Sequence, residues 1–355
     1  MINIIKIIFI NIFIFFTLIG LFVFSPIVIY QSYVSLINLK ENLLEINSKN
    51  TEFFNELKKI PYSYSDFVTF KYYEYKSNLI NIDNKGNRFS KLSENINEKL
   101  PNFIFFGPST IWGYGEEDEK SIPSIFSQKN KAFVQNFSSN GYTSRQSLAK
   151  LINYYIENPY SSKKRVIIFN EGAIDFYTNC NDEDKILKTL FTEKIEENTM
   201  SQKESYLGFD LLIKPSLEFI KRIENRIQGK EKEIKECTDE KIKYIASSMI
   251  EIWKIADSLV KVHGDEFVVT LTPFSYEDSI IIPSSRFEVQ EYQKLAVEKG
   301  YEFIRKNIKI YSEINFIDLS KIFDSEKAYL DSMHYSFEGK EVYVEKLTEK
   351  ILGRK

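Results

Sequence analysis

From residue 102 onward, short apolar runs alternate with longer segments that repeat apolar residues at helical spacing. The runs are FIFF (103–106), AFVQNF (132–137), RVIIFN (165–170), EFVVTLT (266–272) and INFIDL (314–319). Short continuous apolar runs are typical of strands buried on both faces of a parallel sheet, with helices as the crossover connections. The pattern predicts an α/β fold, a three-layer α/β/α sandwich around a five-stranded parallel sheet with right-handed crossovers.

The helical segments follow or separate these runs. They are SIPSIFSQ, SRQSLAKLINYYIE, KIKYIASSMIEIWKIADSLVKV, RFEVQEYQKLAVEKGYEFIRKN and FEGKEVYVEKLTEKIL. One interval, about 180–238, has no convincing strand and is charged and amphipathic. It predicts a helical insertion in a domain spanning 101–355, either a lid above the carboxyl edge of the sheet or a solvated excursion without function.

The N-terminus has a different pattern. Residues 4–30 are almost wholly apolar, with Lys6 near the start and Asn11 and Pro26 as the main interruptions. A helix crosses a bilayer with roughly 20 residues, and the segment ends in FSPIVIY rather than in a small-residue cleavage site. We therefore expect an uncleaved transmembrane anchor over residues 1–31, the alternative being a buried core helix. The flanking charges are weakly biased, so an external position for the large domain follows from what is usual for a single N-terminal anchor.

Two shorter regions connect the anchor to the α/β domain. Residues 32–60 repeat apolar positions at helical spacing and predict a helical stalk, which Pro61 ends. Residues 61–100 are rich in Tyr, Phe and Val, with the turn signal NKGN at 84–87. They predict a small β-rich lead-in.

Composition removes several classes of function. The chain has 355 residues with 47 basic and 50 acidic side chains, and the net charge of -3 argues against a nucleic-acid surface. Its two cysteines, Cys180 and Cys237, exclude a cysteine-rich zinc module and a disulfide scaffold. They form one bridge across a long loop if the compartment is oxidising, or stay as buried thiols. The sequence contains no phosphate-cradling loop and no cluster of metal ligands, so we expect neither cofactor nor metal.

Polar residues follow four of the five predicted strands. Ser109 follows the first, Asn140 and Gly141 the second, residues 171–175 the third, and Asp331 with His334 the fifth. In an open parallel sheet, ligands bind outside the carboxyl ends of the strands, so these groups are predicted to meet at one edge.

Asp331 and His334 have the spacing of an acid that orients a base. Asp331 can accept a hydrogen bond from one imidazole nitrogen, which leaves the other free to take a proton from Ser109. In the alternative, Asp331 caps a helix that begins near Ser336, His334 is a loop residue, and Ser109 only begins a helix. Gly107 allows a sharp turn before Ser109, whose N–H, with that of Gly141, would face a developing oxyanion.

Four blocks carry a family resemblance: FFGPSTIWGYG, SSNGYTSRQSL, FNEGAIDF and YLDSMHYSFEG. In this order and at these separations they resemble the SGNH (GDSL-type) hydrolase superfamily, and most closely its membrane-anchored bacterial branch, over roughly residues 67–347. The resemblance implies the flavodoxin-like SGNH fold, with Ser109 as nucleophile, His334 as base and Asp331 as its orienting acid. Gly141 would be the second oxyanion donor, beside the Ser109 N–H.

The third block departs from the family. Where the superfamily usually has G-x-N-D, with the asparagine as third oxyanion donor, this chain has Gly-Ala-Ile-Asp, and Ile174 carries no donor. Losing one such donor costs on the order of 3 kcal/mol of transition-state stabilisation. Asn140, Asn170 or Asn179 could compensate.

Three further residues are candidates for binding substrate: Arg145, Asn140 and Trp112. Arg145 and its neighbour Gln146 could contact an anionic or sugar substrate, or be exposed first-turn residues. Trp112 could line a sugar-binding wall together with Tyr114, or lie in the core or at the rim. His263, at a helix end, is given no catalytic role.

These features predict a membrane-anchored, single-pass, extracytoplasmic serine esterase that removes acetyl or related esters from an envelope polysaccharide or lipid. A polysaccharide O-acetyltransferase with the same triad is an alternative. A third possibility, which Ile174 favours, is an SGNH domain that binds glycan and has lost activity. The expected partners are the membrane and a glycan or small-molecule ester.

Overall fold

The computed structural model describes residues 51–65, 67–180, 237–277, 280, 282, 289–311 and 313–353. All of these belong to one compact unit, Asn50–Glu193 with Lys235–Lys355. The predicted anchor, most of the stalk and nearly all of the predicted insertion lie outside the described residues. Within those residues, no helix combines the length and the apolar character that a bilayer span requires.

The described chain begins with a helix and two small antiparallel sheets. Helix α1 is Thr51–Leu57, and the strands are β1 Tyr62–Ser65, β2 Thr69–Tyr72, β3 Tyr75–Lys76 and β4 Asn81–Ile82. β1 pairs with β2 and β3 with β4. Phe53 and Phe54 of α1 are buried, so this last turn of the predicted stalk packs on the domain.

The central sheet has five parallel strands, as the apolar runs predicted. They are β5 Asn102–Phe106, β6 Val134–Asn136, β7 Arg165–Glu171, β8 Glu266–Leu271 and β9 Asn315–Asp318. Their spatial order is β6-β5-β7-β8-β9. β5 lies between β6 and β7, so the chain reverses direction across the sheet after β6. The carboxyl end of β5 therefore lies at the switch point where open α/β sheets bind ligands.

Helices cover both faces of the sheet. They are α2 Ser109–Trp112, α3 Ile122–Asn130, α4 Ser144–Glu157, α5 Ala173–Asn179, α6 Asp239–Val262, α7 Glu291–Asn307 and α8 Phe337–Leu352. Successive side chains of a strand point to opposite faces. In β5, Phe103 and Phe105 accordingly join the core under α3 and α8, whereas Ile104 and Phe106 join the core under α4, α6 and α7.

Side-chain caps fix where the longer helices begin. Ser121 caps α3 and Thr238 caps α6, each by accepting a backbone N–H of the first turn, and Thr143 with Gln146 forms a capping box at α4. Ser336 caps α8 by accepting the Gly339 N–H at 3.2 Å. The helix near Ser336 is therefore capped by Ser336 itself, and the alternative role considered for Asp331 is wrong.

Cys180 and Cys237 form a disulfide. Of the two alternatives left open by the sequence, the bridge is the one present. It joins the end of α5 to the residue before the Thr238 cap of α6, and the two cysteines are 57 positions apart in sequence. The two described ends of the predicted insertion are therefore joined covalently.

Candidate active site

Ser109 stands at a sharp turn between β5 and α2. Gly107 makes the turn with φ of 148°, and a Cβ at this position would come within 2.6 Å of the Asn170 carbonyl oxygen. Only glycine fits such a close approach of two backbones. Pro108 occupies the N-cap position, so Ser109 is the first helical residue and its hydroxyl does not cap the helix. Its Oγ lies 2.7 Å from Nε2 of His334.

His334 and Asp331 complete a hydrogen-bonded chain. Nδ1 of His334 lies 2.8 Å and 2.9 Å from the two carboxylate oxygens of Asp331. A carboxylate only accepts hydrogen bonds, so Nδ1 carries the hydrogen and Nε2 is left to accept the Ser109 proton. Asp331, His334 and Ser109 are all buried, with exposed fractions between 2% and 9%.

The Asp331 carboxylate is held in its ionised form. Burial raises the pKa of this carboxyl. The charge of His334 and the hydrogen bonds from His334 and from backbone N–H groups lower it by more, so the net pKa lies below its ordinary value. Those N–H groups belong to Met333 and His334, each 2.9 Å from Asp331 Oδ1. Asp331 is therefore fixed as an acceptor and charge partner for the imidazole, the role that the sequence predicted.

The loop that carries Gly141 is tied to the nucleophile turn. The Ser139 N–H donates to the Gly107 carbonyl at 3.1 Å, and Gly141 has φ of 72°, in the left-handed region. Within the part of the chain that the structure describes, the N–H groups of Ser109 and Gly141 donate to no protein acceptor. Neither N–H group is occupied by one of the described residues, and the role of both groups as oxyanion donors stays a prediction.

Two buried carboxyl groups support this loop from the third block. Asp175 accepts the Ser144 N–H at 3.1 Å and the Ser144 hydroxyl at 3.0 Å, and Glu171 lies 3.3 Å from the same hydroxyl. Burial raises the pKa of Asp175 to about 7, against the hydrogen bonds from Ser144. Burial and the charge of Asp175 raise the pKa of Glu171 well above its usual value. The pair therefore carries less than two full charges at neutral pH.

The three asparagine amides considered as substitutes for the donor missing at Ile174 have other hydrogen-bond partners. Ile174 is buried, 8% exposed, at the second position of α5. The three candidate side chains bind elsewhere: Asn140 Nδ2 donates to the Tyr72 hydroxyl at 3.0 Å, Asn170 Nδ2 to the Phe106 carbonyl at 3.1 Å and Asn179 Nδ2 to the Asp175 carbonyl at 2.8 Å. The backbone N–H groups of Ser109 and Gly141 therefore remain as the predicted donors.

The structure corrects part of the predicted substrate surface. Trp112 is fully buried under the guanidinium of Arg88, 4.3 Å from its ring, and does not line a sugar-binding wall. Gln146 is also buried. Its side chain donates to the Val68 carbonyl at 2.8 Å and belongs to the capping box, so it is not an exposed first-turn residue. Arg145 is exposed on the first turn of α4, and Asn140 is half-buried beside Gly141.

Sequence reasoning missed Arg88, which braces the nucleophile helix from the lead-in. Its Nη1 donates to the carbonyls of Trp112 at 3.0 Å and Gly113 at 2.8 Å, at the end of α2. Its Nε donates to Asp118 at 2.7 Å, and both partners are buried. An arginine among turn residues gives no local signal of such a long-range role.

Lys340, which the sequence did not single out, forms a second group with Tyr114, which the sequence had considered only as a neighbour of Trp112 in a sugar-binding wall, in the core or at the rim. The Tyr114 ring stacks on the His334 imidazole, with centroids 4.0 Å apart and planes at 24°. Lys340 is fully buried in α8, its Nζ donates to the Tyr114 carbonyl at 3.2 Å, and burial lowers its pKa to about 7. The available signal was helical spacing, because Lys340 shares the apolar stripe of Tyr343, Val344 and Leu347.

A surface cleft of about 760 Å³ lies between α3 and α8. Its walls include Ile125, Phe337, Val342 and several glutamates, but none of the triad residues. This cleft is therefore separate from the Ser109–His334–Asp331 group.

Comparisons with known proteins fall into two groups. No family model and no curated protein matches the sequence. Among solved structures, the chain is similar to a member of the lipolytic protein G-D-S-L family from Veillonella parvula (11% identity, 72% of this chain and 99% of that chain, TM-score 0.42). It is also similar to a GDSL-like lipase from Bacteroides thetaiotaomicron (15%, 73% and 91%, 0.39) and to an acetyl xylan esterase (10%, 70% and 99%, 0.38).

These neighbours include members of the superfamily that the four sequence blocks resemble. The identities are low and the TM-scores are below 0.5, so the similarity carries no argument about activity. The hydrogen-bonded triad is what supports a function.

Proposed function

We propose that the protein is a serine esterase of the SGNH type, and the observation that carries this proposal is the chain Asp331–His334–Ser109. Its two links, 2.8 Å and 2.7 Å long, join an ionised carboxylate, an oriented imidazole and a serine hydroxyl. A serine hydroxyl is a weak nucleophile unless a base takes its proton. This arrangement provides that base at a turn where two backbone N–H groups are available.

The reaction has two halves. Ser109 Oγ attacks the ester carbonyl carbon while its proton passes to His334 Nε2, and the oxyanion is stabilised by the N–H groups of Ser109 and Gly141. The bond to the leaving alcohol breaks, His334 returns the proton to the alkoxide, and an acyl-serine remains. Water then attacks the acyl carbon with His334 as base, which releases the carboxylic acid and restores Ser109.

The proposed location is the outer side of a membrane, with the chain held by residues 1–31. The apolar run of that segment supports an anchor, and the Cys180–Cys237 disulfide supports an oxidising compartment, since disulfides rarely persist in the cytosol. Protease added to intact cells is expected to digest the domain; full protection would contradict the external location.

The proposed substrate is an acetyl or related small acyl ester on an envelope polysaccharide or lipid. The anchor would confine the site to the envelope, which is the basis for this choice. In the alternative transferase, the same acyl-serine would pass its group to a sugar hydroxyl instead of water. Acetate release without acceptor supports the esterase, whereas turnover that begins only on addition of a glycan acceptor supports the transferase.

The proposal is tested on the full chain in detergent micelles with a fluorophosphonate probe and p-nitrophenyl acetate. Ser109→Ala and His334→Ala are expected to lower p-nitrophenyl acetate hydrolysis by about a thousandfold or more. Ser161→Ala, an exposed serine distant in sequence from the site, is the matched control and is expected to keep wild-type activity. A folded wild type that neither reacts with the probe nor hydrolyses the ester would contradict the proposal. It would favour a glycan-binding domain in which the loss of the donor at Ile174 has abolished catalysis.

A further inference from the structure

We infer that Tyr114 is a positioning residue for the general base, and that helix α1 supports it. The inference rests on the proposed function, because it assigns a role to a residue that acts through His334. Its starting point is the stacked contact between the Tyr114 ring and the imidazole, 4.0 Å between centroids. The hydrogen bonds to Asp331 and Ser109 lie along the plane of the imidazole, so they leave its faces to other contacts.

Tyr114 is placed by the same turn that carries the nucleophile. Its N–H donates to the Ser109 carbonyl at 2.9 Å. The glycines on either side, Gly113 with φ of 106° and Gly115 with φ of 82°, adopt left-handed backbone that a larger residue would strain. The sequence WGYG thus turns the chain back over the base directly after α2.

Aromatic and backbone contacts hold the tyrosine in place. Its ring packs against Phe54 at 5.3 Å and Phe53 at 6.2 Å between centroids, and both phenylalanines belong to α1. Its carbonyl accepts the bond from the buried Lys340. The last helical turn of the predicted stalk therefore contacts the residue that covers the catalytic histidine.

The stacking has an electrostatic consequence. During acylation His334 becomes an imidazolium, and the face of an aromatic ring attracts a cation. The charged groups around this stack are Asp331 on the same turn as His334 and Lys340 from α8, which in turn faces Glu116, Arg88 and Lys120. The Tyr114 ring favours the protonated imidazole beside Asp331 and keeps it in plane with Ser109.

The test compares Tyr114→Leu, which removes the ring, with Tyr114→Phe, which keeps it. The rate of Ser109 labelling by the fluorophosphonate is measured between about pH 5 and pH 9 on the full chain in micelles. Tyr114→Leu is expected to slow labelling about tenfold at the high-pH plateau and to move the midpoint of the rate curve to lower pH. Tyr114→Phe is expected to keep the wild-type midpoint and a rate within about threefold.

A purely structural role or a substrate contact gives different results. If Tyr114→Leu lowers the plateau without moving the midpoint, or changes only KM for p-nitrophenyl acetate, the inference is overturned. Phe54→Ala removes one of the α1 contacts and leaves Tyr114 itself unchanged. It is expected to move the midpoint of the rate curve in the same direction as Tyr114→Leu, but by a smaller amount. Asn55→Ala, exposed on the same helix, is its control and is expected to behave as wild type.

A second readout separates this inference from the proposed function. The chain has two histidines, His263 and His334, so 13C-labelled imidazole gives two resonances that His263→Gln assigns. The His334 resonance is expected to titrate at lower pH in Tyr114→Leu than in wild type, whether or not the protein hydrolyses esters. Identical titration curves for wild type and Tyr114→Leu would overturn the stacking role. A wild type that does not react with the fluorophosphonate would overturn only the proposed esterase activity.

Discussion

At the scale of single residues, the site combines three hydrogen-bonded side chains from short motifs with supporting side chains from distant parts of the chain. Ser109, Asp331 and His334 stand in short motifs that follow strands, so their convergence follows from the topology of a parallel sheet. Arg88 and Lys340 act across 24 and 226 positions of sequence, and no local pattern reports such contacts. Trp112 lies in the core, one of its two alternatives, which the sequence could not separate because an aromatic residue after a nucleophile turn can face either the solvent or the core.

Ile174 is the residue at which the site departs most from the family pattern. Its replacement by asparagine would place a side-chain amide at the second position of α5, where the superfamily pattern has its third oxyanion donor. Ile174→Asn is expected to raise kcat/KM for p-nitrophenyl acetate about tenfold or more, because one oxyanion donor is worth on the order of 3 kcal/mol. Ile174→Val, which adds no donor, is the control. An unchanged rate in Ile174→Asn would mean that the two backbone donors suffice.

Burial of Asp175 is expected to lower the free energy of unfolding as the pH rises toward 7. Its pKa is about 7 in the folded protein, above the ordinary value of 3.8, so the folded state binds more protons between these values. Its stabilising contribution is present below about pH 4 and is lost as pH rises toward 7. Glu171, whose pKa is also raised, acts in the same direction.

Asp175→Asn keeps an acceptor for Ser144 and removes the charge. The free energy of unfolding of this variant is expected to fall less between pH 4 and pH 7 than that of the wild type, as measured by urea denaturation. Asp83→Asn, an exposed carboxylate in the lead-in, serves as the control for general charge effects. Parallel pH profiles for wild type and Asp175→Asn would contradict the buried-acid account.

At the scale of elements, hydrophobic periodicity gave the sheet and the long helices. The predicted segments 144–157 and 337–352 coincide with α4 and α8, because each has a polar cap before a clear apolar stripe. Two short helices, α2 and α5, are set by turns after strands rather than by periodicity. α2 has four residues and cannot be stable alone, so its geometry depends on what binds its end.

Arg88 is that binding partner, and its removal should act on both stability and activity. Burial lowers the pKa of the Arg88 guanidinium and raises that of Asp118, so each charge is maintained against a cost of desolvation. Arg88→Met is expected to destabilise the fold by about 3–5 kcal/mol, because it leaves Asp118 buried without its partner. It should also slow fluorophosphonate labelling, because the carbonyls at the end of α2 lose their donor.

The double variant Arg88→Met, Asp118→Leu distinguishes two roles of Arg88, neutralising the charge of Asp118 and positioning α2. It is expected to recover part of the lost stability, since no unpaired charge remains, but not the labelling rate. Thermal unfolding and labelling kinetics are the two measurements. Recovery of both would show that Arg88 only neutralises Asp118 and does not position α2.

At the scale of the whole molecule, the Cys180–Cys237 disulfide links the two ends of the stretch that the sequence predicted as a helical insertion. The bridge closes a loop of 57 positions, which in the chain-entropy model stabilises the fold by on the order of 4 kcal/mol. Reduction is therefore expected to lower the urea midpoint of the wild type. A Cys180→Ser, Cys237→Ser variant should start at the lower midpoint and not respond to reductant; equal midpoints for all forms would contradict this stabilisation.

The central claim is that Ser109 is an activated nucleophile. The most direct test is to treat the full chain with a fluorophosphonate, digest it and locate the adduct by mass spectrometry. We expect the adduct on Ser109, and we expect His334→Ala to abolish it while Ser161→Ala leaves it unchanged. An adduct on another serine, or none on a folded wild type, would contradict the catalytic role assigned to the triad.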